Sequence, residues 1–256
     1  MTDHYITTIE GAGNPVIVFD RGQYRCLRMA DNRALIQGYQ HRYRRLDFRS
    51  EYLHGHLAAT LAVTNPRKAL CLGLGVGAIP HLLSHLYPDI QITAVELNET
   101  VYTAASTYFD LNRLHNLHVN ISCASRFVGA HFQDDYDLIF VDCYDAVGIP
   151  SACSNRAYVT NVMRRLANHG LVVINLLPGR RFVDKMFSLW LDHSTDAVVM
   201  PGVRKSNRTL ICSKQPLPNR SSILNRLESE FFPPLPFDMG QPWKRMSKAD
   251  RYLGQW

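Results

Sequence analysis

The chain has no Cys-x-x-Cys pair anywhere in its 256 residues, and its six cysteines (Cys26, Cys71, Cys123, Cys143, Cys153 and Cys212) are scattered, mostly inside apolar runs. That scatter excludes the common zinc and dithiol redox patterns and predicts reduced core residues. No segment approaches the ~20 apolar residues that a bilayer span requires. The opening stretch MTDHYITTIEGAG has neither the basic start nor the apolar run of a secretory signal. A cytoplasmic protein with no membrane partner is therefore expected. Low-complexity tracts and internal repeats are absent, and no His/Cys/carboxylate cluster has ligand spacing, so no metal is expected. What is present is ordinary for a folded domain: 46% hydrophobic and 20% charged residues. The length suits one sizeable α/β domain with a small appendage.

The net charge of +6 raises the question of nucleic acid. Eight arginines lie between Arg21 and Arg49, densest at His41-Arg42-Tyr43-Arg44-Arg45. With no nucleic-acid motif beside them, they read as a solvated or subunit-contacting face, and a nucleic-acid partner is not expected.

Three β-like runs, Val16 to Phe19, Tyr24 to Met29 and Ala34 to Gln37, are separated by the turn signals Arg21-Gly22 and Asp31-Asn32, which predicts a small antiparallel sheet. A helix follows over 51–63, stopped by Asn65-Pro66. From there strands and helices alternate: Ala69 to Leu74, Ala78 to Tyr87, Ile90 to Glu96, Thr100 to Leu111, Leu117 to Cys123, Leu138 to Val141, Ala157 to Ala167 and Leu171 to Leu177. Apolar strands alternating with helices specify a mainly parallel sheet covered on both faces. A helix (Phe182 to Leu191), two strands (Ala197 to Met200, Thr209 to Cys212) and a late helix (Ser222 to Glu230) complete the pattern. The expected divisions are a small β-domain with its arginine-rich connection at 1–50, the α/β domain at 51–214, and an extension at 215–256. The paired histidines His54/His56 and His81/His85 read as surface or packing residues on their helices.

Two stretches carry chemistry. The first is Leu70-Cys71-Leu72-Gly73-Leu74-Gly75-Val76-Gly77, a strand running into Gly-x-Gly-x-Gly and a helix. Glycines at Gly73, Gly75 and Gly77 allow a tight turn and close approach of a ligand to the backbone. About 20 residues later a second strand ends at Glu96, placed to accept the hydroxyl protons of a ribose. The spacing differs from the Gly-x-Gly-x-x-Gly of dinucleotide enzymes, so a nucleoside with a sulfonium arm is expected rather than a pyrophosphate. The second stretch runs from Tyr136 to Pro150, where a buried strand ends in two carboxylates, Asp142 and Asp145. Such a pair suits a cationic amine: it attracts the ammonium, and a desolvated carboxylate can take the proton that must leave before nitrogen attacks. The plainer alternative is a capping Asp142 and a solvated Asp145.

Together these features resemble the spermidine synthase (polyamine aminopropyltransferase) family, from the first strands to about Lys214. The Ile-Gln element stands at Ala34-Leu35-Ile36-Gln37, Tyr-x-Glu-Met at Tyr52, Asn-Pro-Arg-Lys at Asn65-Pro66-Arg67-Lys68, Val-Glu-Ile-Asp at Val95-Glu96-Leu97-Asn98, and the paired aspartates at Asp142 and Asp145 within Asp142 to Pro150. The resemblance implies a Rossmann-like fold of the S-adenosylmethionine-dependent methyltransferase type behind a small amino-terminal β-domain. It implies a homodimer, a decarboxylated S-adenosylmethionine co-substrate and an amine acceptor. In that scheme Asp142 is the general base, Asp145 anchors the acceptor, and Tyr52 and Gln37 line the nucleoside site. Departures are equally visible. Val76 replaces the aspartate that holds the donor ammonium, Cys123-Ala124-Ser125 replaces the adenine-contacting Gly-Asp-Gly, Leu53 replaces a glutamine, and Val199-Met200-Pro201-Gly202 lacks a tyrosine. Loss of the carboxylate at Val76 fits two other readings: methyl transfer from intact S-adenosylmethionine, and a non-catalytic dimeric relative.

Overall fold

The computed structural model describes residues 2–31, 36–130, 135–145, 148–180, 182–202 and 207–253. Ala34 and Leu35 of the Ile-Gln element, and Ala146 and Val147 of the aspartate loop, lie outside the described residues.

Strands β1 (Asp3–Ile9), β2 (Val16–Arg21), β3 (Tyr24–Met29) and β4 (Ile36–His41) form a four-stranded antiparallel sheet in sequential order. The first strand is an addition to the pattern read from the sequence. Its residues are exposed or half-buried along their length, so no strict alternation marked it.

The chain continues through α1 (Tyr52–Ala59), β5 (Lys68–Leu72), α2 (Ala78–Leu86), β6 (Gln91–Glu96), α3 (Glu99–Tyr108), β7 (Leu117–Ile121), α4 (Ala124–Gly129), β8 (Tyr136–Val141), α5 (Arg156–Arg164) and β9 (Leu166–Leu176). Then come α6 (Val183–Asp192), β10 (Asp196–Met200), β11 (Arg208–Ser213), α7 (Arg220–Ser229), α8 (Gly240–Arg245) and the short β12 (Ser247–Lys248). The second sheet has eight strands in the order β12-β10-β11-β9-β8-β5-β6-β7. Pairings from β9 through β8, β5 and β6 to β7 are parallel, and those joining β9, β11, β10 and β12 are antiparallel.

Successive side chains of a strand point to opposite faces, and the two cores obey this. Ala69 and Cys71 of β5 enter one cluster with α1, α2 and α3, while Leu70 and Leu72 enter the other with α4, α5 and α6. Strand β8 divides likewise, Leu138 and Phe140 against Ile139 and Val141. All six cysteines are free, and Cys26, Cys71, Cys153 and Cys212 are buried. No helix among the described residues is long and apolar enough to cross a membrane.

Strand order reverses between β5 and β8: from β5 the chain steps outward through β6 and β7, then returns to β8 on the other side of β5. In open α/β sheets the crevice at such a switch point, outside the carboxyl ends of the strands, is where ligands bind.

The arginines form a connected set of ion pairs. Arg25 and Arg42 each reach the buried Asp20 at 3.1 Å, Arg21 pairs with Asp3 at 2.6 Å, and Arg45 crosses to Asp110 of the main domain at 3.1 Å. Much of the cationic density is thus matched within the fold.

Residues from 215 onward pack onto the main sheet. Helix α8 lies on α1, with Trp243 fully buried and its indole N–H donating to Ala58 O at 2.7 Å, and β12 pairs with β10. Replacing Trp243 with Ala should destabilise the protein by about 3–5 kcal/mol, read from the midpoint of urea unfolding at unchanged m-value.

Candidate active site

Strands β5 and β8 end side by side, and their first loop residues are tied by the main chain. Asp142 N donates to Leu72 O at 2.9 Å, and Gly73 N donates to Val95 O at 2.9 Å. Gly73 adopts φ +100, and a Cβ built there would collide with Asp142 O. Both the left-handed backbone and the close approach demand glycine at this position. Gly77 (φ +78) caps α2, and any side chain there would strike Leu111. Gly75 (φ +56) lies under the Gln37 carbonyl, 3.5 Å from where its Cβ would be. Gln37 is therefore carried by β4 to the bend.

Glu96 turns toward that bend. One carboxylate oxygen accepts from Leu74 N at 3.1 Å and the other from Asn98 N at 2.9 Å. Burial raises its carboxyl above the ordinary value, opposed by backbone hydrogen bonds from Asn98, Leu74, Gly75 and Leu97. Beside it two apolar side chains stay exposed, Leu97 at 71% and Ile121 at 43%; Ile121 is the register partner of Glu96 in β7. Ala124 opens α4 just after β7 and is buried. This apolar lip was not singled out from the sequence, because nothing in the chain marks Leu97 or Ile121 as uncovered.

Asp142 is held on both sides. Tyr52 Oη donates to one oxygen at 3.0 Å and Asn175 Nδ2 to the other at 2.7 Å, and Asn207 Nδ2 donates to Asn175 Oδ1 at 2.9 Å. Burial pushes the Asp142 carboxyl above the usual aspartate range, against the pull of the hydrogen bonds from Asn175 and Tyr52. Burial also raises the Tyr52 phenol, and the Asp142 carboxylate adds to the effect, so the hydroxyl stays protonated and donates. Behind Tyr52, His56 is fully buried; its Nδ1 lies 3.1 Å from Tyr52 O and 3.0 Å from Thr209 Oγ1. Desolvation drives its pKa down to about 3, so it is a neutral support. Asn175, Asn207 and Thr209 were not legible as site residues, since they are brought in from β9, β11 and its approach, distant in sequence from Tyr52 and Asp142; His56, one helical turn after Tyr52, read only as a surface or packing residue.

Asp145 is exposed, and its Oδ1 accepts from Gly148 N at 2.8 Å, closing the loop after β8. No hydrogen bond joins it to Asp142 among the described contacts. Val76 is buried, its Cγ2 2.5 Å from a Cβ built on Gly38 of β4. Beyond α3, the Asn98 side chain caps the helix at Thr100 N and donates to Asn14 O at 2.9 Å, while Thr100 Oγ1 donates to Asn14 O at 2.6 Å. The small sheet thus docks on the crevice at two points, Gly38 over Val76 and Asn14 over α3.

A small open cleft adjoins the other side of Tyr52, with Pro201, Gly202, Asn207 and Thr209 in its wall. Tyr52 and Asn207 belong to both the cleft and the hydrogen-bonded chain around Asp142. Among the described residues no group of His, Cys, Asp and Glu has the arrangement of a metal site.

Fold and site together define a Rossmann-like domain of the methyltransferase type behind a small β-sheet. The curated relatives of the chain are polyamine aminopropyltransferases: that of Vibrio vulnificus is 25% identical over 222 residues, spanning 84% of this chain and 73% of that protein. Others of the same name match about half of this chain or less. Solved structures sharing the fold include a spermidine synthase in complex with the transition-state analogue AdoDATO (TM-score 0.72, 13% identity, covering 94% of this chain and 84% of that one). Human methyltransferase-like protein 13 in complex with SAH shares it also (TM-score 0.59, 20% identity, 81% and 95%). No protein-family model matches the chain.

Two pH effects follow. Unfolded, His56 takes a proton below its ordinary value of 6.5, whereas the folded form resists until about 3. The unfolded state binds more protons in that window, so this group removes stability as pH falls through it, by about 1.4 kcal/mol per unit. Chemical unfolding from pH 7 to 4 should show a shallower loss in His56→Gln than in the wild type. For Asp142 the sign is opposite: a raised folded pKa means the folded state loses stability as pH rises from the ordinary value of 3.8 through the raised one. Asp142→Asn should therefore melt at or above the wild-type temperature at pH 7.5, measured by calorimetry.

Proposed function

We propose that this chain is a spermidine synthase-like transferase that moves an aminopropyl group from decarboxylated S-adenosylmethionine to a polyamine-type amine. The observation that carries the reading is the Asp142 carboxylate, raised by burial and held between Tyr52 Oη and Asn175 Nδ2 at the crevice where β5 and β8 diverge.

In this reading the adenosine lies over Gly73, Gly75 and Gly77, with Gln37 and Ala124 lining its site. The Glu96 carboxylate, turned toward the bend, accepts from the ribose hydroxyls. Leu97 and Ile121 offer the base an apolar face. Asp142 takes the proton of the acceptor ammonium, and the freed nitrogen lone pair forms a bond to the aminopropyl carbon next to sulfur. The carbon–sulfur bond breaks with its electrons moving to sulfur, releasing methylthioadenosine. Charge is neutralised at sulfur as the product forms, so positioning and an anionic pocket supply the rate, and no metal is required. Tyr52 and Asn175 orient the base, and Asp145 anchors the far end of the amine from the exposed loop. The chain acts in the cytoplasm as a homodimer, and the exposed Tyr5 and Tyr43 of the amino-terminal region support a subunit contact there.

Asp142→Asn should lower methylthioadenosine release in the presence of a polyamine by about 10²–10⁴-fold, the usual weight of a general base. Release at the wild-type rate would refute the role.

A second reading is favoured by Val76: an uncharged buried side chain where the resemblance places a carboxylate leaves nothing to repel the carboxylate of intact S-adenosylmethionine, which would make the protein a methyltransferase. Thermal shifts with S-adenosylmethionine, its decarboxylated form and methylthioadenosine decide between them. The aminopropyl reading expects the larger shift from the decarboxylated donor, whereas preference for the intact donor establishes methyl transfer. No shift from any of the three would leave a non-catalytic protein.

A further inference from the structure

The cleft beside Tyr52 carries charges of both signs that the transfer chemistry does not use. Glu51, immediately before α1, and Arg245, at the end of α8, both line it, as does Gln241 on α8's first turn. No ion pair links Glu51 to Arg245 among the described contacts, although other arginines of this chain find carboxylates readily. Both charges are exposed, so neither is spent inside the fold.

A site for a plain diamine needs carboxylates at each end and is harmed by a guanidinium in its wall, because like charges repel. A guanidinium instead matches a carboxylate through paired N–H donors. Arg245 is held at the rim by the packing of α8 on α1, where Trp243, two residues earlier, is fully buried and bonded to Ala58 O. The cation is thus fixed to the same helix that presents Tyr52.

We infer that the acceptor is an amine that also bears a carboxylate, an amino-acid-like diamine, seated with its carboxylate on Arg245, its nearby ammonium toward Glu51, and its distal amine toward Asp142. The inference deepens the aminopropyl-transfer reading and rests on it. The reaction is unchanged: the distal nitrogen gives its proton to Asp142 and attacks the donor carbon, and the carboxylate takes no part in bond making.

Ornithine and putrescine differ by a single carboxylate and make the test direct. Binding is measured by titration calorimetry on the full chain saturated with methylthioadenosine, which occupies the donor site without turnover, and the kcat/KM ratio is measured with the decarboxylated donor. Ornithine is expected to bind 3- to 10-fold more tightly than putrescine, a modest ratio suited to an ion pair in the wall of an open cleft. Arg245→Gln should bring the ratio close to one, and Arg245→Lys should keep part of it, at unchanged melting temperature. Putrescine binding as well as or better than ornithine, with a ratio indifferent to Arg245→Gln, would overturn the carboxylate inference and leave amine transfer standing. Failure of both amines to bind would instead overturn the amine-acceptor reading, and this inference with it.

Discussion

The site depends on two strand ends being allowed to touch. Because Gly73 has no Cβ and sits at φ +100, the backbone after β5 comes against the Asp142 carbonyl after β8. Leu72 and Asp142 share a main-chain hydrogen bond at the same place. Any side chain at 73 would push the loops apart, and with them the Glu96 carboxylate that bonds Leu74 N and the Asp142 carboxylate that bonds Tyr52.

Two desolvated, half-buried carboxylates are then held in different ways, and the difference gives them different chemistry. Glu96 is surrounded by backbone N–H groups, fixed dipoles that favour the anion and suit a static grip on hydroxyls. Asp142 has side-chain donors, Tyr52 and Asn175, among the described contacts, and burial raises its carboxyl, which favours proton uptake. A neutral His56 stiffens Tyr52 from behind without adding a charge that would lower the Asp142 carboxyl.

The amino-terminal sheet and the last forty residues complete the crevice from opposite sides. Gly38 makes room for Val76, and Asn14 ties the sheet to α3, so the small sheet roofs the glycine bend. On the other side α8 packs on α1 and contributes Gln241 and Arg245 to the cleft. Val76 thus places an uncharged buried side chain beside the bend, and Arg245 places a cation in the wall of the cleft.

Local physics made the central parts legible in the sequence. Strand, glycine turn, helix and acidic strand end follow from short-range steric and hydrophobic rules, so Gly73, Gly75, Gly77, Glu96 and Asp142 could be named from their own neighbourhoods. Strand β1, the start of β9 at Leu166 and helix α8 could not: β1 lacks alternation, β9 carries Asn168-His169-Gly170 inside it, and α8 contains Pro242. Each is set by its partners, through pairing of Tyr136 with Leu166 or burial of Trp243. The same limit applies to the hydrogen-bonded chain Tyr52–Asp142–Asn175–Asn207, whose members lie 90, 33 and 32 residues apart. The sequence alone determined the kind of fold and the glycine bend at the end of β5, because those arise from contacts between near neighbours. Only the tertiary structure decided which distant side chains hold Asp142 and which charges face the cleft, because parallel strands bring together residues that the chain itself keeps far apart.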